Sequence, residues 1–98
     1  MDMLERDVEA KLCRMVERRG GLCLKWVCPG WSGVPDRIIL FPGGRVIFAE
    51  TKRPTGGKIS ARQRWWADRL AGLGFRTFFI WNLNDVRLLE DVLGEILR

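Results

Sequence analysis

The chain has 98 residues, with 17 Lys and Arg against 12 Asp and Glu, a net charge of +5, and neither His nor Tyr. This length suits one domain, residues 1–98, and the basic balance favours a polyanionic partner such as nucleic acid. The lack of His excludes Ser-His-Asp and Cys-His catalysis and His-ligated zinc, and the lack of Tyr excludes a tyrosine-phosphodiester intermediate. Phosphodiester hydrolysis by this chain would depend on carboxylates, lysine and a metal.

The three cysteines, Cys13, Cys23 and Cys28, contain no C-x-x-C pair and are odd in number. They indicate reduced, mostly buried side chains in a cytoplasmic protein rather than a zinc site. The acidic N-terminus lacks the apolar segment of a signal peptide, and no stretch approaches membrane-spanning length. We therefore expect a soluble cytoplasmic protein with no membrane partner and no organic cofactor.

The first predicted element is an amphipathic helix over residues 3–19, because apolar residues recur at helical spacing before a Gly-Gly stop. Glu9 lies at the border of the apolar stripe, which is an unusual place for a carboxylate. Two interpretations stay open: Glu9 reaches over the sheet toward a metal, or it is a rim glutamate whose stem covers apolar surface.

A strand is predicted over residues 22–27, with Lys25 among apolar neighbours, and a loop over residues 29–35, where Pro and Gly disfavour regular structure. Trp31 in this loop could stack on a nucleic-acid base or pack beneath the loop. The sequence does not decide between these two roles.

Two further strands are predicted to form a hairpin around a Pro-Gly-Gly turn. Asp36 opens the first, residues 38–41, and Glu50 and Lys52 close the second, residues 45–52. Because alternate side chains of a strand share a face, Glu50 and Lys52 point to the same side. The hairpin register places Asp36 near Glu50.

Two carboxylates and one amine at strand ends can hold a divalent metal and act on a phosphodiester. Asp36 and Glu50 offer the hard oxygen ligands that Mg²⁺ prefers. Lys52 can orient the attacking water or stabilise charge that develops on the phosphate. The competing interpretation is a solvated strand edge whose alternating charge protects against aggregation.

A mobile basic loop is predicted over residues 53–59, next to the candidate site. Arg53 and Lys58 supply charge, and the glycines of the loop allow close approach to phosphate. We therefore expect this loop to contact a DNA backbone.

The second helix begins at Ser60, where Gln63 completes a capping box, and ends in the Gly-rich region 72–74. Arg62 lies away from the apolar stripe of this helix and contributes to a basic surface. Trp65 is also off the stripe, so it is either exposed for a partner or packed on the hairpin.

The last strand is predicted over residues 75–81, and its apolar character favours an interior position in the sheet rather than an edge. Asn82 or Asn84 caps a final helix with a broad apolar face. That face either seals the sheet or forms a dimer contact.

The chain resembles the PD-(D/E)XK nuclease superfamily and, within it, the stand-alone VRR-NUC domains of phages and prophages. The resemblance rests on the element order, on Gly-Val-Pro-Asp-Arg at 33–37, on Glu-Thr-Lys at 50–52 and on Ser-x-x-Gln at 60–63. It covers roughly residues 5–85. It implies an α/β fold with a restriction-endonuclease-like αβββαβ(α) core, in which helices flank a small central mixed sheet.

The resemblance also implies a set of metal ligands made of carboxylates and one backbone carbonyl: Glu9, Asp36, Glu50 and Thr51. Lys52 would be the catalytic lysine, and Gln63 the glutamine near the active site. The capping role of Gln63 competes with this one, and one residue could serve both if its side chain moves. Mg²⁺ is the expected cofactor, with Mn²⁺ able to substitute.

Five side chains are assigned to DNA binding by charge or by their capacity to stack: Lys25, Trp31, Arg53, Lys58 and Arg62. Members of the family that stand alone look like homodimers acting on branched DNA, particularly four-way junctions. Paired cuts need two active sites, which a chain with one site provides only as a dimer. The resemblance thus implies a metal-dependent endonuclease that resolves four-way (Holliday) junctions, in the bacterial host cytoplasm if phage-encoded. Alternatives are a restriction-type or nicking endonuclease on duplex or flap DNA, or a non-catalytic DNA-binding module.

Overall fold

The computed structural model describes residues 4–97. Its elements in chain order are α1 (Glu5–Arg18), β1 (Leu22–Lys25), β2 (Arg37–Phe41), β3 (Arg45–Thr51), α2 (Ala61–Gly72), β4 (Thr77–Ile80) and α3 (Leu83–Ile96). The predicted order of elements is confirmed, with ends that differ by a few residues. Met3, the first residue of the predicted first helix, lies outside the described residues.

The four strands form one mixed sheet in the order β1-β2-β3-β4. The pairs β1-β2 and β2-β3 are antiparallel, and β3-β4 is parallel. In the β2-β3 hairpin Arg37 lies opposite Ala49. The next pair outward is Asp36 and Glu50, so the hairpin register brings these two carboxylates together at one end of the sheet.

The position of β4 differs from the prediction. In the part of the chain that the structure describes, β4 pairs with β3 alone and forms an edge of the sheet. Its aromatic side chains are covered by guanidinium groups, since Arg64 lies 5.2 Å from the Phe79 ring centroid and Arg76 lies 4.8 Å from that of Phe78. The apolar run therefore indicates coverage of both strand faces and not neighbouring strands on both sides.

The main core lies between one face of the sheet and the helices α1 and α3. It contains Val8, Leu12, Met15, Val16, Ile39, Phe41, Ile47, Ala49, Ile80, Val86, Leu89 and Leu93. The alternate residues of the hairpin strands point to the opposite face, where α2 packs through Ala67 and Leu70. The apolar face of α3 thus seals the sheet, and Asn82 rather than Asn84 caps that helix by accepting from the Asp85 N–H at 2.9 Å.

The cysteines are free and partly buried. The sulfurs of Cys13 and Cys23 lie 3.0 Å apart, and burial, reinforced by this contact, raises the pKa of the Cys23 thiol. Among residues 4–97, none of the helices combines the length and the apolar character needed to cross a bilayer.

Candidate active site

Asp36 and Glu50 meet at the end of the β2-β3 hairpin. The backbone N–H of Asp36 donates to Glu50 Oε2 at 3.1 Å. The Thr51 N–H lies 3.3 Å from each carboxylate oxygen of Asp36, and the Thr51 hydroxyl lies 3.0 Å from Oδ2. The two carboxylates are therefore held in fixed orientations by the backbone next to them.

Removal from water disfavours the ionised form of both carboxylates. The Glu50 residue is 8% exposed, and its burial raises its pKa to about 7, with a further upward contribution from the charge of Asp36 and a downward one from Lys52. Burial also raises the pKa of Asp36, although hydrogen bonds from Thr51 oppose the shift. One buried and one partly buried acid with raised pKa values form a site at which a bound cation would be strongly favoured.

Gln63 joins Glu50 to Lys52. Its Oε1 accepts from Lys52 Nζ at 2.9 Å, and its Nε2 donates to Glu50 Oε1 at 3.1 Å. The same Oε1 accepts from the backbone N–H of Ser60 at 2.9 Å, which completes the capping box of α2. Gln63 therefore contacts the helix start and the site at the same time, without the side-chain movement that was expected.

Glu9 extends from α1 to Arg37 of β2 and Thr51 of β3, and these contacts do not decide between its two interpretations. Its Oε1 accepts from Arg37 Nε at 2.9 Å and from Arg37 Nη2, and its Oε2 lies 3.2 Å from the Thr51 hydroxyl. Its partners in this structure are thus a guanidinium and a hydroxyl. The role of Glu9 as a metal ligand stays a prediction.

Metal ligation at this site would rest on few protein groups. Within residues 4–97, no three His, Cys, Asp or Glu side chains form a group that could hold a metal ion. Of the predicted ligands, Asp36 and Glu50 lie together at the site, and Thr51, whose carbonyl is the predicted third donor, follows Glu50 in β3. Mg²⁺ commonly binds through one or two carboxylates and keeps several waters, so this small donor set fits Mg²⁺.

Comparison with known proteins places the chain in a family. No protein-family model matches it. A relative from Acyrthosiphon pisum secondary endosymbiont phage 1, "Putative nuclease p44", is 38% identical over 92 residues, which cover 94% of each chain. A solved structure described as a VRR_NUC domain superposes with a TM-score of 0.80 at 28% identity, covering 93% of this chain and 94% of that one. The chain belongs to the VRR-NUC nuclease family.

The match spans more than nine-tenths of both chains in each comparison, so the likeness of this VRR-NUC domain is to whole relatives and not to a fragment of them. The α/β fold class and the family resemblance drawn from the sequence motifs are thereby confirmed. The roles of the individual site residues are not part of that match and stay predictions.

A cavity of about 380 Å³ opens beside Lys52 in this VRR-NUC domain. It is lined by Glu5, Lys52, Arg53, Gly56, Gly57 and Lys58. Three cations against one acid in the lining suit an anionic group such as a phosphate. Arg53 and Lys58, assigned to DNA from their charge, are both placed at this cavity next to the site.

Glu5 is a site residue that the sequence analysis missed. It lies in the wall of the cavity, and its charge contributes to the raised pKa of Glu50. The signal was available, because Glu5 and Glu9 are four residues apart and share a face of α1. The rotation of α1 against the sheet turns this face toward the site, and the sequence does not determine that rotation.

The other residues assigned to DNA do not line this cavity. Lys25 is exposed at the end of β1, opposite Arg37. Arg62 is exposed on α2, and its Nε donates to the Ser32 carbonyl at 3.3 Å. Trp31 packs against the Trp66 ring but stays 55% exposed, so its two proposed roles are not mutually exclusive.

The raised pKa of Glu50 predicts how the stability of the metal-free protein depends on pH. The folded state binds the proton of the Glu50 carboxyl more tightly than the unfolded chain does. This binding adds to the free energy of unfolding in full below the unfolded pKa of about 4.5, and the contribution is lost as pH rises through about 7. We expect the free energy of unfolding in EDTA to fall by about 1–2 kcal/mol between about pH 5 and pH 8, after allowance for solvent screening. Urea unfolding of Glu50→Gln, with Glu17→Gln as an exposed control, checks this. An unchanged pH dependence in Glu50→Gln would contradict the burial of this carboxylate.

Proposed function

We propose that this VRR-NUC domain is a Mg²⁺-dependent, structure-selective DNA endonuclease that resolves four-way junctions as a homodimer. The observation that supports the catalytic part best is the continuous hydrogen-bonded chain from Asp36 through Glu50 and Gln63 to Lys52. It joins the buried Glu50 and the partly buried Asp36 to an amine beside a cationic cavity. The junction and the dimer rest on the family resemblance and on the symmetry of paired cuts.

The carboxylates of Asp36 and Glu50 and the Thr51 carbonyl would hold the Mg²⁺, and Mn²⁺ would substitute because it accepts the same oxygen ligands. When bound, the ion supplies Lewis acidity at the phosphate and lowers the pKa of the attacking water. The raised pKa values of the two acids support this assignment, since a divalent cation would offset the cost of desolvating their charges and, at Glu50, the repulsion from Asp36.

Lys52 is proposed to act on the substrate directly. An ammonium group carries three N–H donors, and the hydrogen bond to Gln63 uses one of them. The other two can orient the attacking water and stabilise the negative charge that develops on the phosphate. Gln63 is a positioning residue, because it holds Lys52 on one side and the Glu50 carboxylate on the other.

The basic loop between β3 and α2 is proposed to bind the DNA backbone near the scissile phosphate. The sequence predicts a mobile loop, but the structure anchors it, since Trp81 Nε1 donates to the Gly57 carbonyl at 2.8 Å. A Cβ at Gly57 would lie 2.6 Å from the Arg53 carbonyl oxygen, so the loop folds tightly on itself. Arg53 and Lys58 are thereby presented together at the cavity.

Lys58→Ala is expected to weaken DNA binding and to reduce the slope of log K against log salt by about one, because one phosphate contact is lost. Affinities at several salt concentrations, measured with Ca²⁺ in place of Mg²⁺, check this. The control is Lys11→Ala, which removes an exposed charge from α1. Unaltered binding of the Lys58 variant at every salt concentration would rule out the contact.

The function as a whole is tested with a labelled four-way junction, a flap and a linear duplex of the same sequence. Each is incubated with the protein in Mg²⁺, Mn²⁺ or EDTA, the nicks are mapped, and sedimentation gives the oligomeric state. We expect paired nicks in the junction that require the metal. Equal cleavage of the duplex would favour a restriction-type or nicking enzyme. Binding without cleavage in either metal would establish a non-catalytic DNA-binding module.

A further inference from the structure

Three indole rings form a row on the surface of the domain. The centroid of the middle ring, Trp66, lies 5.8 Å from that of Trp31 and 5.1 Å from that of Trp65, with interplanar angles of 84° and 89°. Trp66 is partly buried, and its Nε1 donates to the Ser32 carbonyl at 3.0 Å. The outer rings are different, because Trp31 and Trp65 are 55% and 51% exposed.

This row is fixed in position relative to the candidate active site. Gly33 has a φ of +85°, and a Cβ there would lie 2.5 Å from Arg62 Cγ, so the loop that carries Trp31 packs closely on α2. The same loop leads directly into Asp36. On α2, Gln63 and Trp66 are three residues apart, so their Cβ atoms are separated by about 5–6 Å. The indole row and the site are thus held by the same two segments.

The chemistry of the row suits a nucleotide. Arg62 precedes Trp65 and Trp66 by three and four residues, so an exposed guanidinium lies beside the rings. An aromatic face can stack on a base of any sequence, and a neighbouring arginine can bind its phosphate. Within a duplex the bases are stacked on each other, whereas an unpaired nucleotide can turn its face to an indole.

We infer that Trp31 and Trp65 form a stacking platform for unpaired bases, so that this face selects DNA with unpaired nucleotides next to the cleaved phosphate. The biological use of the platform rests on the proposed nuclease function, but the binding itself requires no cleavage. The platform would recognise an unpaired nucleotide, which is a substrate feature that contacts to phosphates alone would not select.

The platform is tested by binding to two labelled probes in EDTA: an oligo(dT) of about ten nucleotides and a blunt, fully paired duplex of two strands. Trp31→Ala and Trp65→Ala are each expected to weaken oligo(dT) binding about tenfold and to change duplex binding by less than about twofold. Trp31→Phe and Trp65→Phe keep an aromatic face and should restore most of the affinity. Leu88→Ala removes an equally exposed apolar side chain, 55% exposed on α3, and should change neither.

Equal losses on both probes, or no loss on oligo(dT), would overturn the platform. So would a change of sedimentation mass in the alanine variants without a change of probe preference, because the rings would then contact a second copy of the chain. These outcomes are separate from failure of the proposed function. A protein that never cleaves can still show the probe preference, and an active nuclease whose variants keep the wild-type preference refutes only the platform.

Discussion

Loss of either carboxylate of the site is expected to lower DNA cleavage by at least about a thousandfold while junction binding persists. Asp36→Ala and Glu50→Ala each remove one of the two carboxylates proposed to hold and orient the metal. Each substitution also removes a negative charge near the DNA phosphates. Binding should therefore stay constant or become slightly tighter.

The measurement is single-turnover cleavage of a labelled junction in Mg²⁺, paired with binding in EDTA. Glu50→Gln is a useful companion variant, because its amide can still accept the hydrogen bond from the Asp36 N–H. It separates loss of charge from loss of shape. Glu17→Gln on the exposed side of α1 is the matched control, with activity near that of the wild type. Persistent cleavage in the Asp36 or Glu50 alanine variant would refute the assignment of the metal site.

Lys52→Ala is expected to lower cleavage by about 10²–10³, because the amine proposed to stabilise the transition state is removed. The helix start should survive, since Gln63 Oε1 still accepts from the Ser60 N–H. Gln63→Ala should have a smaller effect, about 10–100-fold, as expected for a residue that only orients its neighbours.

The double variant provides the sharper test. If Gln63 acts through Lys52, then Lys52→Ala combined with Gln63→Ala should be hardly slower than Lys52→Ala alone. Fully additive losses would mean that Gln63 contacts the substrate or acts through Glu50 instead. Lys11→Ala serves as the control for removing one positive charge, and unfolding curves confirm that each variant is folded.

The local part of the site could be predicted from sequence because short-range rules determine it. The alternation of strand side chains and the hairpin register bring Asp36 and Glu50 together, and the capping box places Gln63 at the start of α2. The contacts of Glu5 and Glu9 could not be predicted. They depend on how α1 rotates against the sheet, and the ion pair between Glu9 and Arg37 joins residues far apart in the chain.

The position of β4 shows a second kind of limit. An apolar run such as Thr77–Ile80 indicates that both faces of the strand are covered. Helices and long arginine side chains can provide this cover, so it does not require a strand on each side. Strand order is a separate property that depends on the path of the chain between strands. In this domain that path returns through α2 to pair β4 with β3 at the edge.

One oxygen atom, Gln63 Oε1, accepts both from the first turn of α2 and from Lys52. Helix ends are the parts of a protein that open most easily, well before the fold as a whole is lost. Each time the first turn of α2 frays, Lys52 also loses its hydrogen bond to Gln63. Warming should therefore abolish DNA cleavage at temperatures where the sheet is still folded. DNA bound to Lys52 should in turn stabilise the first turn of α2.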